Sequence, residues 1–285
     1  MGGRIGSRTG EEAGNSIAIE GSYMLIDAHA HLNRYDELTD KALDEIENYK
    51  VFTVSNSMDI QSYKENLAIA EKSRYILPTF GIHPWVAHEY MHKLTECDDF
   101  IEKSPILGEL GLDYHFVKDS SLYPAQRKLF EYFVARTAEH NKIVNLHTKG
   151  AEEDIFKLLE KYDIRRAIIH WYSGPLGTLK KFIDKGFYFT VGVELLFSEH
   201  IRRIARNIPE DLLLTETDNP GGYEWLAGTP GMPGVLQEVV LELARIRRIE
   251  YEECENMIQR NFERLIEGDE AVDEFYSRAK NRKNI

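Results

Sequence analysis

In this chain, histidine and carboxylate side chains of the kinds that can ligate metal follow one short apolar run after another, and no other feature limits the fold so sharply. The run MLIDAHAH carries His29 and His31, ILGE carries Glu109, IVNLH ends at His147, AIIH ends at His170, and LLLTETD ends at Asp218. A further run, ILPTFGIH, delivers His83. Short apolar runs without polar alternation read as strands buried on both faces, the kind found in parallel sheets. One polar group at the C-terminal end of strand after strand is the layout of a barrel enzyme's active site. An open, doubly wound sheet is the structural alternative, but it gathers its ligands at one crevice instead of around most of its strands.

The rest of the pattern supports a barrel. Strands are expected over 24–27, 51–56, 76–81, 106–109, 143–146, 167–169, 188–191 and 212–215. Helical segments alternate with them over 37–48, 62–71, 98–103, 124–140, 176–185 and 199–206, with Ile155, Leu158, Leu159 and Tyr162 marking one more. Two further helices follow over 235–247 and 251–267. Pro124 opens its helix in a favoured first-turn position, and Leu129, Phe130, Phe133, Val134 and Ala138 share one helical face. Eight strand–helix units between 24 and 268 match the usual size of a TIM (β/α)8 barrel, about 250 residues. The fold class expected is therefore α/β.

Outside the barrel segment, residues 1–23 mix six glycines with charges and serines and contain no apolar signal core, so they do not read as a secretory signal. They read as a disordered leader or an upstream extension, and 269–285 reads as a charged C-terminal tail. Cys97 and Cys254 belong to no paired motif, which leaves neither a disulfide framework nor a thiolate zinc site and suits a reducing cytoplasm. No apolar stretch approaches membrane-spanning length. The net charge of -13 argues against sequence-independent wrapping of duplex DNA, which needs a basic face. It leaves a nuclease open, because bound divalent metals supply local positive charge.

The polar residues themselves specify the chemistry. In His29-Ala-His31, extended backbone puts residues i and i+2 on one side, so both imidazoles reach one cation. Asp27, in the same phase, is a candidate to fix a histidine tautomer. Glu109 lies in GELGLD, where Gly108 and Gly111 permit close backbone approach, and a carboxylate, unlike an imidazole, can bridge two cations with its two oxygens. Taken alone, His147 and His170 are ordinary core histidines, and Asp218 in TETDNP is an ordinary Asx turn before Pro220. Taken together, those ordinary readings would have to coincide at five strand ends. A His/carboxylate set without thiolate suits Zn²⁺, Mn²⁺, Ni²⁺ or another first-row cation and not Ca²⁺, which prefers oxygen cages. His88, His92, His140 and His200 have no comparable placement, while His115 follows the GELGLDY loop toward the mouth. Trp85, Trp171 and Tyr172 follow active-site strands and are candidates for stacking on unpaired bases.

The ordered series DAHAHL (27–32), GIHP (81–84), GELGLD (108–113), NLHTK (145–149), HWYSG (170–174) and TETDNP (215–220) resembles the TatD family of metal-dependent deoxyribonucleases, within the amidohydrolase superfamily. The likeness spans about Met24 to Gly268. It implies a dinuclear site at the C-terminal ends of the strands: His29, His31 and Asp218 hold one divalent ion, His147 and His170 the other, and Glu109 bridges them. The two ions are Zn²⁺, Mn²⁺, Mg²⁺ or Ni²⁺. His83, in the GxHP motif, is implied to face substrate, and Asp218 to move the proton of a metal-bound hydroxide. The implied activity is that of a 3′–5′ exodeoxyribonuclease, with Lys149, Trp171 and Tyr172 placed to touch single-stranded nucleic acid ends. The alternative is a superfamily hydrolase of a small amide, lactone or aminoacyl ester. Asn261, in QRNFERL, resembles a C-terminal family segment with a structural role. The chain departs from the family pattern at Lys149 (usually Arg), at Trp171-Tyr172 (usually Cys-Phe) and at Gly221-Gly222 (usually Tyr-Leu). All ligands survive these changes, which lie at the rim where substrate preference is set.

Overall fold

The structure is a computed structural model that describes residues 23–281, so the expected leader lies, apart from Tyr23, outside the described residues. Its strands are β1 (Leu25–Ala30), β2 (Val51–Asn56), β3 (Ile76–Thr79), β4 (Ile106–Gly111), β5 (Ile143–His147), β6 (Ala167–Ile169), β7 (Tyr188–Val191) and β8 (Leu213–Thr215). All strand pairings are parallel, in the orders β1-β2-β3 and β4-β5-β6-β7-β8. Every residue in these strands is buried, as expected of apolar runs covered on both faces.

Two seams join the groups into one (β/α)8 barrel. Between β3 and β4, Phe80 pairs with Leu107, and Gly108 N donates to Phe80 O at 2.9 Å. Between β8 and β1, Thr215 Oγ1 donates to Ile26 O at 2.6 Å, and Asp218 N donates to His29 O at 2.8 Å. Both seams leave the C-terminal strand ends facing one mouth.

The helices are α1 (Thr39–Tyr49), α2 (Ile60–Ala70), α3 (Asp98–Lys103), α4 (Tyr123–His140), α5 (Glu152–Lys161), α6 (Leu176–Asp184), α7 (Glu199–Asn207), α8 (Gly221–Ala227), α9 (Leu236–Arg247), α10 (Tyr251–Leu265) and α11 (Glu270–Lys280). Local chemistry explains their starts. Asp59 and Ser62 form a reciprocal capping box at α2, Ser198 caps α7, and Pro124 sits in the first turn of α4.

Apart from end shifts in β1, which runs to Ala30, and β3, which stops at Thr79, three features differ from the sequence reading. β4 and β5 run on to Gly111 and His147, because those two residues pair in the ladder. Gly111 is required there: at φ 150°, a Cβ would lie 1.9 Å from the His147 carbonyl oxygen. The segment 269–285 is not simply a charged tail. Asp269 caps α11, Val272, Tyr276 and Ala279 are buried, and the Tyr276 ring lies 5.2 Å from that of Phe52 on β2. The charges face water, while a narrow apolar stripe packs on the barrel. Finally, α8 was not foreseen, because two glycines open it. Backbone bonds from Gly222 N to Asp218 O (2.7 Å) and Glu224 N to Pro220 O (3.3 Å) hold its first turn. Asn261 proves structural, its amide donating to Glu210 O and Leu213 O from α10.

Candidate metal centre

Parallel pairing brings residues from β1, β4, β5, β6 and the segment after β8 to one point. Glu109 is at its centre, and its two oxygens face two different sets of donors. Oε2 lies 3.2 Å from His31 Nε2 and 3.5 Å from His29 Nε2. Oε1 lies 2.8 Å from His147 Nδ1, 3.1 Å from His170 Nε2 and 3.3 Å from His83 Nε2. Asp218 Oδ1 completes the first set, 3.2 Å from His31 Nε2 and 3.7 Å from His29 Nε2. All these residues are buried except Asp218, whose side chain keeps 21% of its surface exposed. The groups His29–His31–Asp218, His29–Glu109–His170 and His83–Glu109–His147 each present ligand atoms within 4.8 Å of one another.

The partners of the outer ring nitrogens decide which nitrogen faces the centre, by the tautomers the hydrogen bonds assign. His29 Nδ1–H donates to Asn145 Oδ1 at 2.9 Å, and that amide is oriented by its own bond to Ala28 O. His31 Nδ1–H donates to Asn56 O at 3.0 Å. His170 Nδ1–H donates to Glu216 Oε2 at 3.2 Å, and His147 Nε2–H donates to Asp113 Oδ2 at 3.0 Å. Four rings thus aim lone pairs inward. His29 Nε2 and His31 Nε2 then face each other at 3.3 Å, and His147 Nδ1 faces a carboxylate at 2.8 Å. Acceptors this close need a cation or protons among them, so the donor set fits divalent metal.

His83 differs. Its Nδ1 accepts the Trp85 backbone N–H at 3.3 Å, which places its proton on Nε2. Burial pushes its pKa down to about 4, more than Glu109 raises it. At neutral pH it is an uncharged N–H donor aimed at the centre.

Without a cation, the carboxylates draw protons onto the rings. Burial opposes charge on His31, but its bonds to Asp218 and Glu109 outweigh this and lift its pKa to about 9. Burial also opposes charge on His170, yet Glu216 and Glu109 lift it to about 10. Burial likewise works against ionised Glu109, but the imidazoles of His83, His170 and His29 hold its pKa well below the usual carboxylate range. Divalent metal loading at pH 7.5 is therefore expected to release protons, and affinity to fall as the pH is lowered. Calorimetric titration in buffers of different ionisation enthalpy reads this directly. A binding enthalpy identical in all buffers would show the rings already neutral.

Several expectations change. Asp27 does not orient a histidine ring; its carboxylate accepts from Thr217 N (2.9 Å) and Thr217 Oγ1 (2.7 Å), pinning the Asp218 segment to β1. Burial raises its pKa to about 7. The ring-orienting groups are instead Asn145, Asn56, Glu216 and Asp113. Asn145 alone had a local signal, since it precedes His147 by two in a strand and shares its face. Tyr172 does not face substrate: it is buried, edge-on to Phe182 and Phe189, and its hydroxyl donates to Pro175 O. Lys149 is committed internally, donating to Trp171 O (2.7 Å) and Ser173 Oγ (3.0 Å), and burial lowers its pKa. Trp171 is mostly buried, its indole N–H bonded to Glu194 Oε2 at 2.5 Å. Trp171 (φ 39°) and Asp218 (φ 51°) both hold left-handed backbone at the mouth, a local strain typical of functional sites.

Residues 26–267 match a family model described as TatD related DNase. The chain is 26% identical to the metal-dependent hydrolase MJ1582 of Methanocaldococcus jannaschii, over 83% of this chain and 94% of that one. It is 27% identical to the metal-dependent hydrolase YabD of Bacillus subtilis, over 85% and 98%. In fold it is similar to YJJV, a TatD homologue from Escherichia coli (TM-score 0.78, 22% identity, 85% and 97% covered). It is likewise similar in fold to an amidohydrolase from Saccharomyces cerevisiae (TM-score 0.73, 14% identity, 85% and 99% covered).

Proposed function

The chain belongs to the TatD-related DNase family of metal-dependent hydrolases, and we propose that it is a 3′–5′ exonuclease acting on the ends of single-stranded DNA. The observation that carries this reading is Glu109, whose two carboxylate oxygens address two separate donor sets. His29, His31 and Asp218 would hold one ion, and Glu109 would share a second with His170 and His147, which the structure groups with Glu109 alongside His29 and His83 respectively. Such a pair acidifies a water and polarises a phosphoryl oxygen.

The chain's own groups do the rest. Asp218, the one partly exposed carboxylate of the set, stands where it can accept a proton from the attacking water and return it to the leaving oxygen. His83 offers its Nε2–H to a non-bridging phosphoryl oxygen. Asn145, Asn56, Glu216 and Asp113 keep the ring nitrogens aimed. Lys149 supports the reading less than its sequence position suggested, since its ammonium already braces the Trp171 loop. The polarity and the preference for DNA come from the family likeness. The preference for single strands follows from the family likeness and from the net charge of -13, which does not suit sequence-independent wrapping of duplex.

The test compares metal-loaded protein on 3′-labelled and 5′-labelled single strands, on duplex, and on a panel of amides, lactones and aminoacyl esters. Stepwise loss from the 3′ end of the single strand is expected. Turnover of an amide or ester with every oligonucleotide left intact would replace this reading with a small-molecule hydrolase. No helix among the described residues is long and apolar enough to cross a membrane.

A further inference from the structure

Four aromatic rings form a continuous arch from one side of the mouth to the other. Trp85, after β3, lies edge-on to His83 at 4.6 Å and to Phe116 at 6.3 Å. Phe116, after β4, meets Trp225 of α8 at 6.5 Å and 89°. Trp225 in turn meets Trp171, after β6, at 6.1 Å. On an eight-strand ring β4 and β8 stand opposite each other, so the Phe116–Trp225 contact crosses the entrance to the Glu109 centre. Trp225 is 66% exposed, and Phe116 and Trp85 are each 44% exposed. The inner end of the arch is tied to the centre: the Trp85 indole N–H donates to Asp113 Oδ2 at 2.7 Å, and the same oxygen accepts from His147.

Such large apolar faces in water at a site's mouth call for a ligand. The geometry suits a flat one. Two van der Waals contacts of about 3.5 Å in series make a slot of about 7 Å between parallel rings. The pair already stands 6.5 Å apart, so a quarter turn of one ring, with little further separation, opens a slot one base thick. Paired bases at a duplex end are already stacked and cannot enter it.

We propose that Phe116 and Trp225 form a two-ring clamp that takes one unpaired base of the strand entering the centre, so that stacking and not phosphate neutralisation supplies most of the affinity. This rests on the nucleic-acid reading above. It also accounts for how a chain of net charge -13, with Lys149 engaged internally, can hold a polyanion.

The experiment uses metal-loaded full chain with two single strands of equal length, one natural and one with abasic residues at its last three positions. Trp225→Ala and Phe116→Ala are expected to raise KM on the natural strand roughly tenfold to a hundredfold, with the loss carried by KM and not by kcat. The double variant is expected to be little worse than either single one, because the slot needs both rings. Trp225→Phe is expected to recover most of the affinity. On the abasic strand the variants and the parent are expected to converge. An unchanged KM, or an equal loss on the abasic strand, would refute the clamp. If the parent cleaves no oligonucleotide, the nuclease reading falls by itself. The clamp is then judged by tryptophan quenching with the same two strands: base-dependent quenching lost in Trp225→Ala sustains it, and no quenching refutes it.

Discussion

Glu109→Gln is expected to remove nearly all hydrolytic activity while leaving the barrel folded. Among the described residues, Glu109 is the group whose two oxygens face both donor sets, and an amide offers one neutral oxygen in place of two charged ones. In the two-ion reading proposed above, losing the bridge would weaken the hold on both ions. The transition-state stabilisation that metals contribute is several kcal/mol, so kcat/KM should drop by about 10³ or more. Folding should survive, since glutamine matches the volume and the buried apolar neighbours of β4 carry its packing. Elemental analysis is expected to show less than the parent's metal content, with a cooperative thermal transition retained in the metal-free state. A variant with parental metal content and parental turnover would dispose of the bridging role.

The second large effect is expected at Asp218. It holds left-handed backbone, φ 51°, which asparagine tolerates as readily as aspartate. Asp218→Asn therefore tests the carboxylate without disturbing the turn, whereas Asp218→Ala would add backbone strain to the comparison. The amide cannot take a proton from water, so kcat should fall by about 10² to 10⁴, the range for general acid–base catalysis. A rise in KM with kcat nearly intact would assign Asp218 to binding alone.

The legible part of this protein was local. Each strand announced itself as a short apolar run, with each candidate donor within three residues of its C-terminal end, so β1, β4, β5, β6 and β8 and six candidate donors are legible in the sequence. Boundaries slipped by up to three residues where pairing decided them, as at Ala30, Gly111 and His147. Gly81 shows the same limit. A Cβ there would lie 2.4 Å from the Gly108 carbonyl carbon, a crowding that two glycines 27 positions apart do not betray in sequence.

What decides the behaviour of the donors is not local. His29 is oriented by Asn145, 116 residues away, and His170 by Glu216, 46 residues away. The in-phase neighbour Asp27, which sequence proximity favoured, turned instead to Thr217. Tyr172 adjoins Trp171 in sequence, yet its ring packs edge-on to Phe182 and Phe189 in the core, contacts that no sequence neighbour announces. Phe116 and Trp225 meet only because the barrel closes and sets β4 across from β8. Periodicity and residue type, which are one-dimensional, determined that this chain builds parallel strands with metal donors at their ends. The choice of ring nitrogen, the split of Glu109 between two donor sets and the aromatic arch over the mouth were decided by tertiary structure, because each depends on atoms from strands far apart in the chain that only barrel closure brings into contact.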